Sequence, residues 1–196
     1  MILKIRQAGE PVLRQQARPL SAEEILDRTI QDLIESMRET MHDAPGVGLA
    51  APQVGVPVQL AVVEDQPRFL EKLSSEQLAE RERSAVPFHV LINPVIHISP
   101  VTVPPSAPED VEFYEGCLSV AGFTAIVPRA KAVRVECLNE RAEPVTIDAK
   151  GWYARILQHE IDHLHGTLYL DRMKPRSFST QDNHARYWKD LTALSG

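Results

Sequence analysis

Apolar residues Leu26, Ile30, Leu33, Ile34, Met37 and Met41 recur three or four positions apart. That spacing gathers side chains on one face of a helix. Ser21-Ala22-Glu23-Glu24 just before them has a hydroxyl at the cap position and a glutamate three residues on, the pattern of a capping box. The stretch predicts one long amphipathic helix, its stripe packed on a core, ending before Asp43-Ala44-Pro45-Gly46. Val58 to Val63 and Val86 to Ile98 predict strands, the second interrupted near Asn93-Pro94. Phe69 to Arg83, between them, is charged and periodic and reads as a surface helix or a mobile excursion. Val101 to Pro108, with Pro104, Pro105 and Pro108, predicts an extended loop, because proline cannot donate to an inner ladder. From Lys131 to Leu138 the pattern alternates: Val133, Val135 and Cys137 on one face, Arg134 and Glu136 on the other. A polar turn, Asn139 to Glu143, and Val145-Thr146-Ile147 complete a predicted hairpin. Gly151 to His165 predicts a late helix, with Gly166 in the position after its C-cap. The expected fold class is α+β: small β-sheets packed around a C-terminal metal-binding helix, with an N-terminal amphipathic helix. Residues 1–196 are read as a single domain.

Composition narrows the picture. With 196 residues and 43% hydrophobic content, the chain can bury a sizeable core and is not a disordered segment. A net charge of −6 and a pI near 5.6 exclude broad electrostatic capture of nucleic acid or anionic membrane. No direct nucleic-acid site and no membrane span are expected. Met1-Ile2-Leu3-Lys4-Ile5-Arg6 lacks the pattern of a secretory or transit segment. The expected location is therefore cytoplasmic, where the two cysteines are thiols or ligands rather than a bridge.

The late helix also carries chemistry. His159-Glu160-Ile161-Asp162-His163 places two imidazoles four residues apart, so both can turn toward one metal ion. Glu160, one step round, can serve as a proton-transfer group beside it. A third ligand must come from elsewhere. His42, His89, His97, His165, His184, Cys137 and several carboxylates are candidates, but Cys117 stands out in Glu115-Gly116-Cys117-Leu118-Ser119. Its glycine neighbour lets backbone approach a small site closely. Cys137 reads instead as a small core residue on the apolar face of its strand. Two imidazoles and a thiolate leave one tetrahedral position open, the pattern of a catalytic site. Gly46 to Gly55 is a small, nearly uncharged loop in which Gln53 is the one strongly polar side chain. Its amide can donate a hydrogen bond without titrating, which suits stabilisation of a developing oxyanion.

Taken together, Gly46-x-Gly48-x-Ala50-Ala51-x-Gln53, Glu115-Gly116-Cys117-Leu118-Ser119 and His159-Glu160-x-Asp162-His163 resemble, in order, the three signature motifs of the peptide deformylases. Ile5 to Arg14, with Gly9-Glu10-Pro11-Val12-Leu13-Arg14, and Leu91-Ile92-Asn93-Pro94 also resemble that family, and the likeness extends from residue 1 to about 178. The resemblance implies a single metal on Cys117, His159 and His163, natively Fe²⁺, with Zn²⁺, Ni²⁺ or Co²⁺ as substitutes. It implies removal of the formyl group from the initiator methionine of nascent chains, so that N-formylmethionyl peptides are the partners. Gln53, the backbone N–H of Leu118 and Glu160 match catalytic positions. Val47, Gly48 and Gly116 match positions that line or bond the substrate backbone. Phe113, Glu115, Trp152 and Arg155 fall where the methionine pocket is built. Ala121-Gly122-Phe123-Thr124-Ala125 departs from the commonest bacterial pattern, which has proline and then Arg-Gly, and looks more like the organellar branch. Contacts to substrate residues beyond methionine are therefore not carried over. Arg129 is expected either to pair with Glu115 or Asp162 or to lie on the surface. The basic residues of the 171–188 tail suggest a ribosome contact or a self-packed terminus. Two other readings are a metallo-endopeptidase, which needs a third ligand downstream of His163, and a non-catalytic metal-binding remnant, in which Glu160 would have no use.

Overall fold

The computed structural model describes residues 1–98 and 110–188. The helices are α1 (Ala22–Leu26), α2 (Arg28–Asp43), α3 (Pro67–Leu70), α4 (Ser75–Glu80), α5 (Gly151–Leu164) and α6 (Gln181–Tyr187). The strands are β1 (Gly48–Ala50), β2 (Leu60–Asp65), β3 (Val86–Ile98), β4 (Asp110–Cys117), β5 (Val120–Ala130), β6 (Ala132–Leu138), β7 (Pro144–Lys150) and β8 (Ser179–Thr180). They form a five-stranded antiparallel sheet, order β1-β2-β3-β6-β7, and a three-stranded antiparallel sheet, order β4-β5-β8.

The near-continuous apolar run of β2 follows from burial on both faces. Ala61 and Val63 pack with Leu91, Val133 and Val135 against Leu157, Ile161 and Leu164 of α5. Leu60 and Val62 point the other way, into a cluster with Ile34, Met37 and Met41 of α2. A strand covered on both sides loses the polar alternation of a half-exposed one. The apolar stripe of α2 is thus core, as its spacing predicts. Helix α5 is buried along most of its length, with both sheets in contact with it.

The predicted N-terminal helix is two helices. Ser21 and Glu24 do form the reciprocal capping box, but Asp27 adopts an extended conformation (φ −68°, ψ 142°) and its side chain accepts from Thr29 N–H to cap α2. An aspartate offers the backbone a cap in competition with helix continuation, and here the cap wins. Leu26, counted in the stripe, is left 61% exposed. The strand predicted over Val58 to Val63 is β2, which begins at Leu60 and runs to Asp65. The interruption in β3 is present: Asn93 has φ +51° and the register shifts between Ile92 and Val95. Phe69 to Arg83 takes in the end of α3, which begins at Pro67, and the whole of α4. Arg83 from this segment forms a bidentate pair with buried Asp65 (2.7 and 2.9 Å), and the Arg81 carbonyl accepts from Trp152 N–H at the start of α5. The β6–β7 hairpin and α5 match their predicted positions, and Gly166 has φ +70° just past the C-cap His165. A Cβ there would meet Arg14 backbone at 2.7 Å. The proline-rich 101–108 stretch lies outside the described residues.

Candidate active site

Helix α5 is the floor of the site. Its i, i+4 spacing sets His159 and His163 side by side, their rings 5.1 Å apart. Across from them, the strands β4 and β5 turn sharply, with Cys117 opposite Val120 after a register shift at Gly116. That turn delivers the thiol: ligand atoms of Cys117, His159 and His163 all lie within 4.8 Å of one another, and Cys117 Sγ is 3.3 Å from His163 Nε2. Of the third-ligand candidates read from the sequence, only Cys117 joins the two histidines in such a cluster among the described residues. Cys137 is a buried core residue of the five-stranded sheet, as its strand pattern predicts.

The donor set and its surroundings suit a cation. Burial alone would lower the pKa of His159, but hydrogen bonds to Cys117 and Glu115 outweigh it and hold the ring well above its usual value. Negative partners thus favour positive charge at this point. His163 is driven the other way by burial and by the nearby positive charges of His159 and Arg129, which keeps its imidazole neutral, the ligating form. His159 Nδ1 lies 3.0 Å from Glu115 Oε2, which fixes the ring and leaves Nε2 as the nitrogen that could ligate a metal.

Glu115 is itself held from three sides. Arg129 forms a fork to both its oxygens (2.9 and 3.0 Å), and Arg155 Nη1 donates to Oε1 at 2.6 Å. Arg129 continues to Asp162 at 2.5 Å, and Asp162 is gripped from outside by Arg172 at 2.7 Å through each oxygen. Arg129 therefore pairs with both acids considered from the sequence and is buried, at 3% exposure. Burial pushes the Glu115 carboxyl up, yet the His159 and Arg129 contacts prevail and hold it well below the usual carboxylate range.

Glu160 is equally buried but lacks such support: its Oε2 has no hydrogen-bond partner among the described residues. Burial raises its pKa to about 7, with His159 opposing and Glu115 adding to the shift. It fits against Gly48 of β1 so closely that a Cβ there would stand 2.3 Å from Glu160 Oε1. Gln53 sits in a 3-10 turn, Ala51–Val54, that follows β1. Its Oε1 accepts from Ala50 N–H at 2.8 Å, and its Nε2 is 3.2 Å from Ser119 Oγ and 3.6 Å from Cys117 Sγ.

These groups open onto a cavity of about 580 Å³. Val47, Gly48, Gln53, Glu115, Gly116, Leu118, Trp152, Arg155 and Glu160 border it, as do Cys117 and His159 of the candidate metal cluster. Phe113 does not. It lies two residues before Glu115 on β4, on the same face, but packs edge-on against Trp152, ring centroids 6.1 Å apart, and so backs the wall rather than forming it. Both oxygens of Glu115 and both terminal nitrogens of Arg155 are engaged within the protein. Their part in the pocket is therefore to brace it. The sequence reading missed Ile156, Tyr114 and Gln181 as cavity walls. Ile156 was legible, one turn after Trp152. Tyr114 and Gln181 are brought together by the docking of α6 on β4, where the Tyr114 ring lies 4.1 Å from that of His184 at a tilt of 51°.

A helix bearing His-Glu-x-x-His between two antiparallel sheets, with a cysteine from a strand turn, defines a candidate mononuclear metal centre of the hydrolase type. Residues 2–179 match the sequence profile described as polypeptide deformylase, and the chain belongs to that family. It is 42% identical over 179 residues to the chloroplastic peptide deformylase 1A of Solanum lycopersicum, covering 91% of this chain but only 62% of the plant protein. Peptide deformylase 3 of Streptomyces avermitilis is 43% identical, over 97% of this chain and 80% of that one. Among solved structures, the class I type b peptide deformylase of Acinetobacter baumannii with Met-Ala-Ser bound superposes with a TM-score of 0.75 at 32% identity, over 88% of this chain and 99% of that one.

Proposed function

We propose that this chain hydrolyses the formamide of N-formylmethionyl peptides, releasing formate and a free amino terminus. The observation that carries the reading is the meeting of Cys117, His159 and His163 beside the buried, unpartnered carboxylate of Glu160 at the floor of an open cavity. We take the resident metal to be Fe²⁺, with Zn²⁺, Ni²⁺ or Co²⁺ able to replace it. When bound, it supplies Lewis acidity and a water acidic enough to attack near neutral pH.

The protein groups do the rest. Glu160, with its pKa raised to about 7, takes a proton from the attacking water and returns it to the leaving amine. Gln53 and the Leu118 N–H donate to the formyl oxygen as it gains charge. Loss of one such donor typically costs ~3 kcal/mol, on the order of a hundredfold in rate. Glu115, fixed by Arg129 and Arg155, holds His159 in one orientation. Val47, Gly48 and Gly116 lie where a substrate backbone would run, and Trp152 and Ile156 offer apolar wall to a methionine side chain. A Met-Ala-Ser peptide in the Acinetobacter relative supports a peptide in this cavity. Discrimination against acetyl groups needs a rigid wall, because an extra methyl is worth only ~1–3 kcal/mol in an ordinary pocket.

No helix among the described residues is long and apolar enough to cross a membrane. We read the place of work as cytoplasmic. A ribosome contact through the 171–188 tail would have to use cations other than Arg172 and Lys174, which are paired with Asp162 and Glu112.

The test is formate release from formyl-Met-Ala-Ser by protein with counted metal. Glu160→Ala should keep the metal and lose at least a hundredfold in kcat. Near-normal turnover in that variant refutes the role of Glu160. Cleavage of unformylated peptides at internal bonds would favour an endopeptidase instead.

A further inference from the structure

Ser119 lies inside the cysteine motif, yet it is neither a metal ligand nor exposed to the cavity: its exposure is 0%. Its backbone is fixed independently of its side chain. The Ser119 carbonyl accepts from Ala8 N–H at 2.7 Å, and its N–H donates to Cys117 Sγ at 3.4 Å. The hydroxyl is therefore free for another task, and it stands 3.2 Å from Gln53 Nε2. A primary amide has one acceptor oxygen and two N–H donors in a plane. Ala50 N–H occupies the oxygen at 2.8 Å, so the amide cannot flip without setting donor against donor. With one N–H given to Ser119, the planar group turns its second N–H toward the ligand cluster, where Cys117 Sγ is 3.6 Å away. That contact is long, and the proton can pass to an oxygen arriving beside the sulfur.

We propose that Ser119 is a positioning residue: its hydroxyl aims the Gln53 amide at the reacting oxygen. The kinetic arm of the test rests on the deformylase reading; the spectroscopic arm does not. In the first, kcat for formate release from formyl-Met-Ala-Ser is measured for the wild type, Ser119→Ala, Gln53→Ala and the double variant, all with counted metal. Ser119→Ala should lower kcat about tenfold with KM changed less than twofold, and lower it less than twofold once Gln53 is already alanine, since coupled residues are non-additive. The same loss in both backgrounds, or a loss that tracks metal content, overturns the proposal. In the second arm, hydrogen exchange of the Gln53 side-chain amide is followed by NMR in ¹⁵N-labelled wild-type protein. One of its two protons should be strongly protected, and the protection should disappear in Ser119→Ala. Fast exchange of both protons in the wild type overturns the proposal, whatever the variants do. A wild type that releases no formate sinks the activity reading, and the exchange arm then decides on Ser119 alone.

Discussion

Gly48→Ala tests whether the placement of Glu160 matters at sub-ångström scale. A Cβ at residue 48 would lie 2.3, 2.5 and 2.7 Å from Glu160 Oε1, Cδ and Cγ. Ordinary contact begins near 3.4 Å, so relief needs a shift of about 3.4 − 2.3 ≈ 1.1 Å. Neither partner yields easily. Gly48 is paired with Val63 in the five-stranded sheet, and Glu160 is 3% exposed on a helix buried along most of its length. Overpacking of this kind costs typically ~1–3 kcal/mol. For a chain of this size that is a fall in Tm on the order of 2–12 °C, at ~2–4 °C per kcal/mol. The larger effect should be catalytic, since a misplacement of ~1 Å can cost a hundredfold. The assay is kcat for formate release beside thermal unfolding and metal content. Metal should remain, because no ligand is touched. A variant with wild-type kcat and wild-type Tm would show that the carboxylate is not held against this strand and would remove the close fit from the argument. Gly116→Ala is the contrast: its Cβ would stand 3.5 Å from both Gln181 Nε2 and the Phe123 carbonyl, so the fold should accept it with little loss of Tm.

Two further outcomes follow from the charge network behind His159. Arg129→Ala would strip a buried cation from Glu115 and Asp162; breaking such a pair costs about 3–5 kcal/mol, read as a drop in Tm on the order of 6–20 °C. Arg129→Lys should not restore the loss, because an ammonium cannot reproduce the two-oxygen fork, and full recovery by lysine would contradict the geometry. The second outcome is an acid limb in stability. The Glu115 pKa is depressed in the folded state, so its contribution is fully present above its unfolded value of ~4.3. It is lost as pH falls from there through the lower folded value. Denaturant titrations should show stability falling in that window, with a smaller slope in Glu115→Gln; an equal slope in both proteins would place the acid limb elsewhere.

The Cys117, His159 and His163 cluster was legible in part because two of its members are fixed by helix period alone. Four residues on one helix is a distance, so His159 and His163 could be paired from the sequence without knowing the fold. The α2 stripe, the β6–β7 hairpin and the left-handed Gly166 were equally local, each set by period or by backbone sterics. The break at Asp27 was local too, but ambiguous: the same aspartate can continue a helix or cap a new one, and only packing decides. What the sequence could not settle was non-local. The roles of Glu115 and Arg155 as braces, the exclusion of Phe113 from the cavity and the burial of Arg129 all depend on the β4–β5 hairpin lying against α5. Alternation in β4 stops after Asp110-Val111-Glu112-Phe113, and β5 mixes small and apolar residues without a period of two, so the pattern does not announce that hairpin. Gln53 and Ser119 are 66 positions apart and meet only when the turn after β1 closes over the cysteine turn. Short-range periodicity thus paired the two histidines that could ligate a metal, and the local Glu115-Gly116-Cys117-Leu118-Ser119 motif singled out Cys117 as their partner. The tertiary structure determined their pKa values, their orientation and what encloses them, because burial and opposite charge act through space rather than along the chain.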